Sequence, residues 1–111
     1  MPFILVRLQC RYGKVEQFNE IMSHLVPVLE DRGWRLVGAY QNRIGRLNKV
    51  YDLWEMPDAN AISSVLALAA QVPEFQQWAS GLAECLEEEE LEFMNELPYS
   101  LAARERRGGA S

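Results

Sequence analysis

The stretch that decides the fold is GWRLVGAYQNRIGRLNKVYDLWEM, which occupies residues 33–56. It contains two β-type runs of aliphatic and aromatic residues, Trp34–Tyr40 and Asn48–Met56. A polar segment that includes Asn42 and Gly45 separates the two runs, and residues of these types favour turns. The stretch therefore predicts a β-hairpin, and the rest of the chain can be placed relative to it.

The residues before the hairpin predict one strand and one helix. The run Phe3–Cys10 is rich in Ile, Leu and Val and ends at a turn signal. Residues 15–31 change to a helical period, and their apolar stripe consists of Phe18, Met22, Leu25 and Leu29. Gly33 is placed to adopt the left-handed conformation that often follows a helix. Pro27 lies inside the pattern, so we expect it to kink or shorten the helix.

The residues after the hairpin predict a broken helix and a last strand. Asp58 is placed to cap the helical region, which Pro73 divides into two pieces. The apolar stripes of these pieces are Ile62, Val65, Leu66 and Ala69 in the first, and Phe75, Trp78, Ala79, Leu82 and Leu86 in the second. Residues 90–97 then alternate between glutamates and apolar residues, as a strand with one apolar face does. We expect a domain over residues 1–101, followed by a flexible C-terminal tail over residues 102–111.

The predicted order of elements, β-α-β-β-α-β, is that of the ferredoxin-like α+β fold, a four-stranded antiparallel sheet with its helices on one face. The strands are apolar on both faces, since neighbours such as Ile4 and Leu5, or Leu53 and Trp54, point in opposite directions. Two helices can cover only one face of such a sheet. We therefore expect the second face to pack against a second copy, which gives a homodimer. The acidic outer face of the last strand fits an edge strand.

Composition and charge exclude several classes of function. The chain has 111 residues, of which 49% are hydrophobic, and a net charge of −5, so it forms one domain without a basic surface for nucleic acid. Apolar runs such as Phe3–Val6 are far shorter than the ~18 residues of a membrane span. The same start lacks the features of a signal peptide, so we expect a cytoplasmic protein with no membrane partner. Cys10 and Cys85 form no disulfide or metal-binding pattern, and no glycine-rich phosphate loop occurs, so we expect no metal and no cofactor.

The hairpin carries a resemblance to a known family. Its pattern of Gly33, Arg35–Gly38, Ile44-Gly45, Val50 and Leu53-Trp54 resembles the core pattern of the NIPSNAP family, within the dimeric α+β barrel superfamily. Further agreement comes from Gly13-Lys14, Pro73–Phe75 and Leu97–Ser100, so the resemblance covers residues 3–101. The first strand departs from it, because the family usually has a more polar run there. The resemblance implies a homodimer whose two sheets close a barrel. Cofactor-free monooxygenases, isomerases, cyclases and lyases of the superfamily hold their pockets between sheet and helices.

Six residues are candidates for a functional site. His24 is the only histidine, and with Tyr40 it is a candidate for acid–base catalysis. The candidates for ligand binding are polar or aromatic residues of the hairpin: Arg35, Asn42, Asp52 and Trp54. Three of these residues also have a structural alternative. His24 can occupy a half-exposed position, and Tyr40 and Trp54 can pack in the core or at an interface. An acidic residue in an apolar strand needs a partner if it is buried, and Arg35 on the neighbouring strand is the candidate partner of Asp52.

Two charged clusters have simpler interpretations. Arg43, Arg46 and Lys49 lie near the hairpin tip, where they can bind an anion or pair with the acidic run Glu87–Glu90. We interpret the acidic run as a solvated helix end, and exposed pairs of this kind contribute little stability.

Two functions are consistent with these features. The first is a homodimeric, pocket-bearing protein that acts on a hydrophobic small molecule without a cofactor, with His24 or Tyr40 moving a proton. The alternative is a non-catalytic dimeric module that binds other proteins and whose interior is filled by side chains. A ligand-sized cavity between helices and sheet, lined by Tyr40, Trp54 or His24, favours the first, whereas a filled interior favours the second.

Overall fold

The computed structural model describes residues 2–110, with side chains to residue 108, so Met1 and Ser111 lie outside the described residues. The elements in chain order are β1 (Pro2–Cys10), α1 (Val15–Glu30), β2 (Arg35–Gln41), β3 (Lys49–Glu55), α2 (Ala61–Ala69), α3 (Pro73–Ala79), α4 (Leu82–Cys85), β4 (Leu86–Asn95) and α5 (Leu101–Ala110). The strands form one antiparallel sheet in the order β2-β3-β1-β4. This is the predicted ferredoxin-like α+β arrangement, and β4 occupies an edge as expected.

The strand register divides the sheet into two faces, because residues directly opposite each other share a face. Ile4, Val6 and Leu8 of β1 point to one side, and all three join a single core cluster with α1 residues such as Phe18 and Leu25. We call this side the helix face. The opposite side, the second face, carries the alternate residues of β1, beginning with Phe3.

Helix α1 runs through Pro27 and ends only at Glu30, so of the two effects expected of the proline, a kink or a shortening, the shortening does not occur. A proline removes a single backbone donor, and the apolar stripe of α1 packs on the core along the rest of the helix. Gly33 adopts the predicted left-handed conformation, with φ +109°. Its N–H donates to the carbonyl of Glu30 at 3.2 Å, and the N–H of Trp34 donates to Leu29 at 3.2 Å, which directs the chain into β2.

The region between β3 and β4 follows the predicted capping and breaking signals. The carboxylate of Asp58 accepts a hydrogen bond from the N–H of Ala61 at 3.1 Å, at the start of α2. Pro73 is the first residue of α3, where its missing N–H is harmless. Leu86, expected on the helical stripe, instead begins β4 directly after α4.

The acidic run Glu87–Glu90 lies in β4, so its interpretation as a helix end is wrong. Pairing with β1 satisfies the backbone of these residues, while their side chains remain exposed along the edge of the sheet. The expected pairing with the basic hairpin tip occurs within the chain, because Arg46 contacts Glu88 at 3.5 Å. Arg7 of β1 also pairs with Glu90 at 2.5 Å.

The C-terminal residues expected as a flexible tail form helix α5, apart from Ser111, which lies outside the described residues. Arg106 of α5 forms ion pairs with Glu96 and, at 3.6 Å, with Glu55. Glu55 lies on the second face of the sheet, opposite Phe3. Helices α1 to α4 therefore occupy the side expected for this fold, and α5 is an additional helix beside the second face.

Candidate ligand-binding site

The candidate site is centred on Asp52, in the middle of β3 on the helix face. The register places it opposite Val6 of β1 and Ala39 of β2, so both cross-strand neighbours are apolar. The residue is only 3% exposed. No hydrogen bond or ion pair joins its carboxylate to any residue that the structure describes. A buried carboxylate without a partner is costly, and such groups are uncommon in folded proteins.

Asp52 borders two cavities between α1 and the sheet. The first has a volume of about 160 Å³ and is lined by Val6, Leu8, Phe18, Met22, Leu25, Leu29, Trp34, Asp52, Trp54, Leu66, Leu82, Glu89 and Leu91. The second has a volume of about 250 Å³ and is lined by Phe18, Asn19, Met22, Val26, Leu36, Ala39, Tyr40, Gln41, Val50 and Asp52. Phe18 and Met22 of α1 border both cavities, as Asp52 does. The arrangement is that of a ligand pocket, mainly apolar walls around a few polar groups.

The electrostatics of the site are acidic. Burial, and to a lesser extent the nearby carboxylate of Glu89, raise the pKa of Asp52 to about 6. Glu89 belongs to β4 and borders the first cavity. Both charged side chains that line the two cavities are therefore carboxylates.

Two indoles form part of the wall of the first cavity. Trp34 and Trp54 meet edge to face, with ring centroids 5.3 Å apart and planes inclined at 61°. The Trp34 indole N–H donates to the carbonyl of Ala61 at 2.8 Å, which fixes the ring against the start of α2. The structure thus places the predicted Trp54 at the cavity, and adds Trp34.

His24 lies outside both cavities. Its imidazole stacks on the indole of Trp78, with ring centroids 3.7 Å apart and planes inclined at 5°. Its Nδ1 is 3.2 Å from a carboxylate oxygen of Glu74, and its Nε2 is 3.3 Å from one of Glu20. The side chain is 32% exposed, and through Trp78 and Glu74 it joins α1 to α3. The structure therefore does not bring His24 into contact with Asp52 or the cavities.

Tyr40 and Asn42 support the hairpin rather than a common site. Tyr40 borders the second cavity, but its side chain is 66% exposed and its ring packs over Gly38 on the second face. A Cβ atom at Gly38 would lie 2.7 Å from that ring, so a larger residue there would displace the exposed Tyr40 side chain. The amide of Asn42 donates to the carbonyl of Arg46 at 3.2 Å inside the hairpin loop.

The expected pair between Arg35 and Asp52 is absent. The register places Arg35 opposite Glu55 on the second face, and its guanidinium contacts that carboxylate at 3.9 Å. Asp52 points to the helix face instead, so the sheet itself separates the two side chains.

Sequence reasoning missed Glu89 as a member of the site. With the acidic run taken as a helix end, the face of each glutamate was undefined. The signal is the alternation of Glu89, Leu91 and Phe93, which β4 places on the helix face opposite Leu8, Val6 and Ile4.

Neither a metal-binding cluster nor a membrane-spanning helix occurs among the described residues. They contain no group of three or more His, Cys, Asp or Glu residues suited to a metal ion. In the same part of the chain, no helix is long and apolar enough to cross a membrane. Cys10 and Cys85 are free thiols in the core, and burial raises the pKa of Cys10 to about 11, so its thiol is neutral at physiological pH.

The fold and the cleft define a ferredoxin-like α+β protein with cavities between its helices and its sheet. The chain belongs to the NIPSNAP family, whose family model matches residues 3–101. No curated protein matches it. The expected family resemblance is thus confirmed, and α5 begins where the match ends.

Solved structures share this fold at low sequence identity. A NIPSNAP family protein of unknown function from Agrobacterium tumefaciens, Atu4242, is 15% identical with a TM-score of 0.83, and the match covers 91% of this chain and 98% of that one. An uncharacterised NIPSNAP domain protein from Burkholderia xenovorans is 22% identical with a TM-score of 0.79, over 90% and 98% of the two chains. A protein from Nitrosomonas europaea, provisionally named an antibiotic biosynthesis monooxygenase, is 13% identical with a TM-score of 0.66, over 87% and 99%.

Proposed function

We propose that this protein is a homodimer in which each protomer binds an apolar small molecule between α1 and the sheet, with Asp52 as the polar anchor. The observation that carries the proposal is the carboxylate of Asp52, which is buried, lacks a partner among the described residues and borders both cavities. Packing alone favours an apolar residue at such a position. A binding site needs a polar group there to orient its ligand.

The size of the cavities supports a small ligand. An apolar cavity of about 150 Å³ is large enough to hold benzene. The first cavity, at about 160 Å³, therefore suits one ring, and the second, at about 250 Å³, suits a larger fragment. Trp54, one of the three residues expected to mark a pocket, lines the first cavity. Tyr40 borders the second cavity from β2, but its ring packs over Gly38 on the other face of the sheet. The alternative of a module with a filled interior is correspondingly disfavoured.

The second face supports the homodimer. Leu5, Leu53 and Met94 are only partly buried there, and Val37 is 42% exposed. Helix α5 reaches this face at Glu55 without covering it. A second copy placed against it buries these side chains and leaves the cavities, on the other side of the sheet, unobstructed in both protomers.

A second candidate function is proton transfer on the bound molecule without a cofactor. It is favoured by the pKa of Asp52, because a carboxyl group that titrates near pH 6 can accept and return a proton close to neutrality. The provisional name of the Nitrosomonas europaea protein adds an analogy of fold. In this candidate Asp52 takes the role first assigned to His24 and Tyr40.

Binding can be tested with an uncharged aromatic probe, toluene, followed by the indole N–H resonances of a ¹⁵N-labelled sample. Trp34 and Trp54 line the first cavity and should shift on titration. Trp78 stacks on His24 outside the cavities and serves as an internal control that should not shift.

A matched pair of variants locates the probe. Leu66 of α2 borders the first cavity and is 37% exposed, so Leu66→Trp should fill the cavity and weaken toluene binding. Leu68 on the same helix is 54% exposed and borders neither cavity, so Leu68→Trp should leave binding unchanged. Toluene that shifts Trp78 alone, or that binds both variants equally, would contradict the proposal.

A further inference from the structure

We infer that the molecule bound in this cleft carries a protonated amine on its apolar body, and that Asp52 and Glu89 bind the ammonium group. The inference rests on the proposed function and specifies the class of ligand for the same site. It follows from the charges that border the cavities and from where the basic residues of the sheet lie.

The charge of the cleft selects the ligand. None of the residues lining the two cavities is Lys, Arg or His, and their charged members are the carboxylates of Asp52 and Glu89. A carboxylate or phosphate on the ligand would be repelled by both and would lose its hydration without gaining a partner. A hydroxyl group donates a single hydrogen bond and brings no charge. An ammonium group provides three hydrogen-bond donors and a positive charge. It can therefore form a charged hydrogen bond with the buried Asp52 carboxylate, which has no partner among the described residues.

The basic residues of the two central strands do not neutralise the negative charges of Asp52 and Glu89. Arg7, the basic residue of β1, lies on the second face and pairs with Glu90 and Glu92. Lys49, the basic residue of β3, lies opposite Gln9 on the same second face. Asp52 and Glu89 form no ion pair with any described residue, so both carboxylates are available to a cationic ligand.

The walls of the cavity suit the rest of such a ligand. Trp34 and Trp54 line the first cavity, which Asp52 and Glu89 also border, and aromatic rings attract cations while packing against apolar groups. An amine on an aromatic or aliphatic body thus finds both of its parts accommodated in one cavity.

The experiment compares three probes with a common phenyl body: 2-phenylethylamine, 2-phenylethanol and 3-phenylpropanoate. Affinities are measured by calorimetry at pH 7.5, and occupancy of the cavity is followed by the indole resonances of Trp34 and Trp54. We expect the amine to bind most tightly, the alcohol more weakly and the carboxylate weakest. Asp52→Asn should lower the affinity for the amine by roughly 10- to 100-fold and change the affinity for the alcohol by less than about threefold.

A second variant keeps the inference testable if Asp52→Asn fails to fold. Glu89 is exposed on the edge strand, so the Glu89→Gln variant should fold. It should lower the affinity for the amine by roughly two- to fivefold and leave the affinity for the alcohol unchanged. Glu92→Gln, on the second face of the same strand, is the matched control and should change neither affinity.

The outcomes separate the inference from the function on which it rests. If the alcohol binds as tightly as the amine, or the carboxylate binds more tightly, the inference is wrong while the proposed binding site stands. The same holds if amine affinity is unchanged in both Asp52→Asn and Glu89→Gln. If none of the three probes, nor toluene, shifts Trp34 and Trp54, the proposed function fails together with the inference.

Discussion

Asp52 and Glu89 border the same cavity from strands that are not neighbours, because β1 lies between β3 and β4. Leu8 of β1 pairs with Glu89, and Val6 pairs with Asp52, so the two carboxylates lie on the helix face with only the apolar side chains of β1 between their strands. The carboxylate of Glu89 adds to the effect of burial and makes ionisation of Asp52 less favourable. This relationship gives the site a pH dependence.

We expect Asp52 to make the protein less stable as pH rises from about 4 to 6. Its pKa is 3.8 ordinarily and about 6 in the folded chain, so over this interval the folded state binds more protons than the unfolded state. The free energy of unfolding should therefore fall by about 3 kcal/mol between these values and stay low above them. Asp52→Asn should remove this loss, so the variant should gain most over wild type at pH 8 and least at pH 4. Urea denaturation of wild type and Asp52→Asn at pH 4 and pH 8 measures the difference in their free energies of unfolding. The same difference at both pH values would contradict the raised pKa of Asp52.

Trp54→Ala should unfold the protein or strongly destabilise it. The residue is buried in the core and packs edge to face on Trp34, and removing a buried Trp costs about 3–5 kcal/mol. Trp78→Ala is the comparison variant. Because Trp78 is only partly buried, this substitution should lower the free energy of unfolding by less than half as much as Trp54→Ala does. Thermal unfolding of the two variants measures the difference, and equal midpoints would show that Trp54 contributes to a pocket wall without supporting the core.

His24→Gln should leave ligand binding unchanged and lower stability slightly. The imidazole stacks on Trp78 and bridges Glu20 and Glu74, and a contact between two stacked rings contributes about 0.5–1.5 kcal/mol. We expect a fall of a few degrees in Tm and toluene affinity within about twofold of wild type. A variant of normal stability that no longer binds the probe would restore His24 to the site.

Leu53→Lys should separate the proposed homodimer. Leu53 lies in the middle of β3 on the second face, where a charge on each protomer would have to be buried against the other. Light scattering at micromolar concentration should give twice the 12.7 kDa of one chain for wild type and 12.7 kDa for the variant. Leu68→Lys, on the exposed side of α2, is the control and should remain dimeric. A monomeric wild type would remove the proposal.

The order of the strands and main helices could be predicted from the sequence, and so could Asp52 as a candidate, the residue at the centre of the proposed site. Alternation and helical periodicity identified the strands and helices, because each reports which side of an element is buried. They also marked Asp52 as an unusual residue in an apolar strand. They did not give its surroundings, because the side on which Arg35 emerges depends on the register between β2 and β3, which shifts between Leu36 and Gly38.

The features that could not be predicted from the sequence depend on element boundaries and on tertiary packing. Four consecutive glutamates, Glu87–Glu90, have no apolar period of their own, so only their pairing with β1 shows that they belong to a strand. Helix α5 has few apolar residues, and its contacts with Glu55 and Glu96 run through Arg106. His24 was the best catalytic candidate by residue type, but its position between α1 and α3 follows from helix packing.

The central place of β1 has a consequence for how the protein is made. Strand β1 is synthesised before the other strands of this sheet, and it pairs with β3 and with β4, so that Pro2 lies opposite Asn95. Contacts between residues this distant in the chain form late and slow the folding of a domain. During synthesis β1 can pair with β3 before β4 has been made, and its pairing with β4 forms only after all four strands of the sheet have emerged. The wall that contains Glu89 and Leu91 is therefore the last part of the cavity to be assembled, and a nascent chain has no closed pocket to offer a ligand.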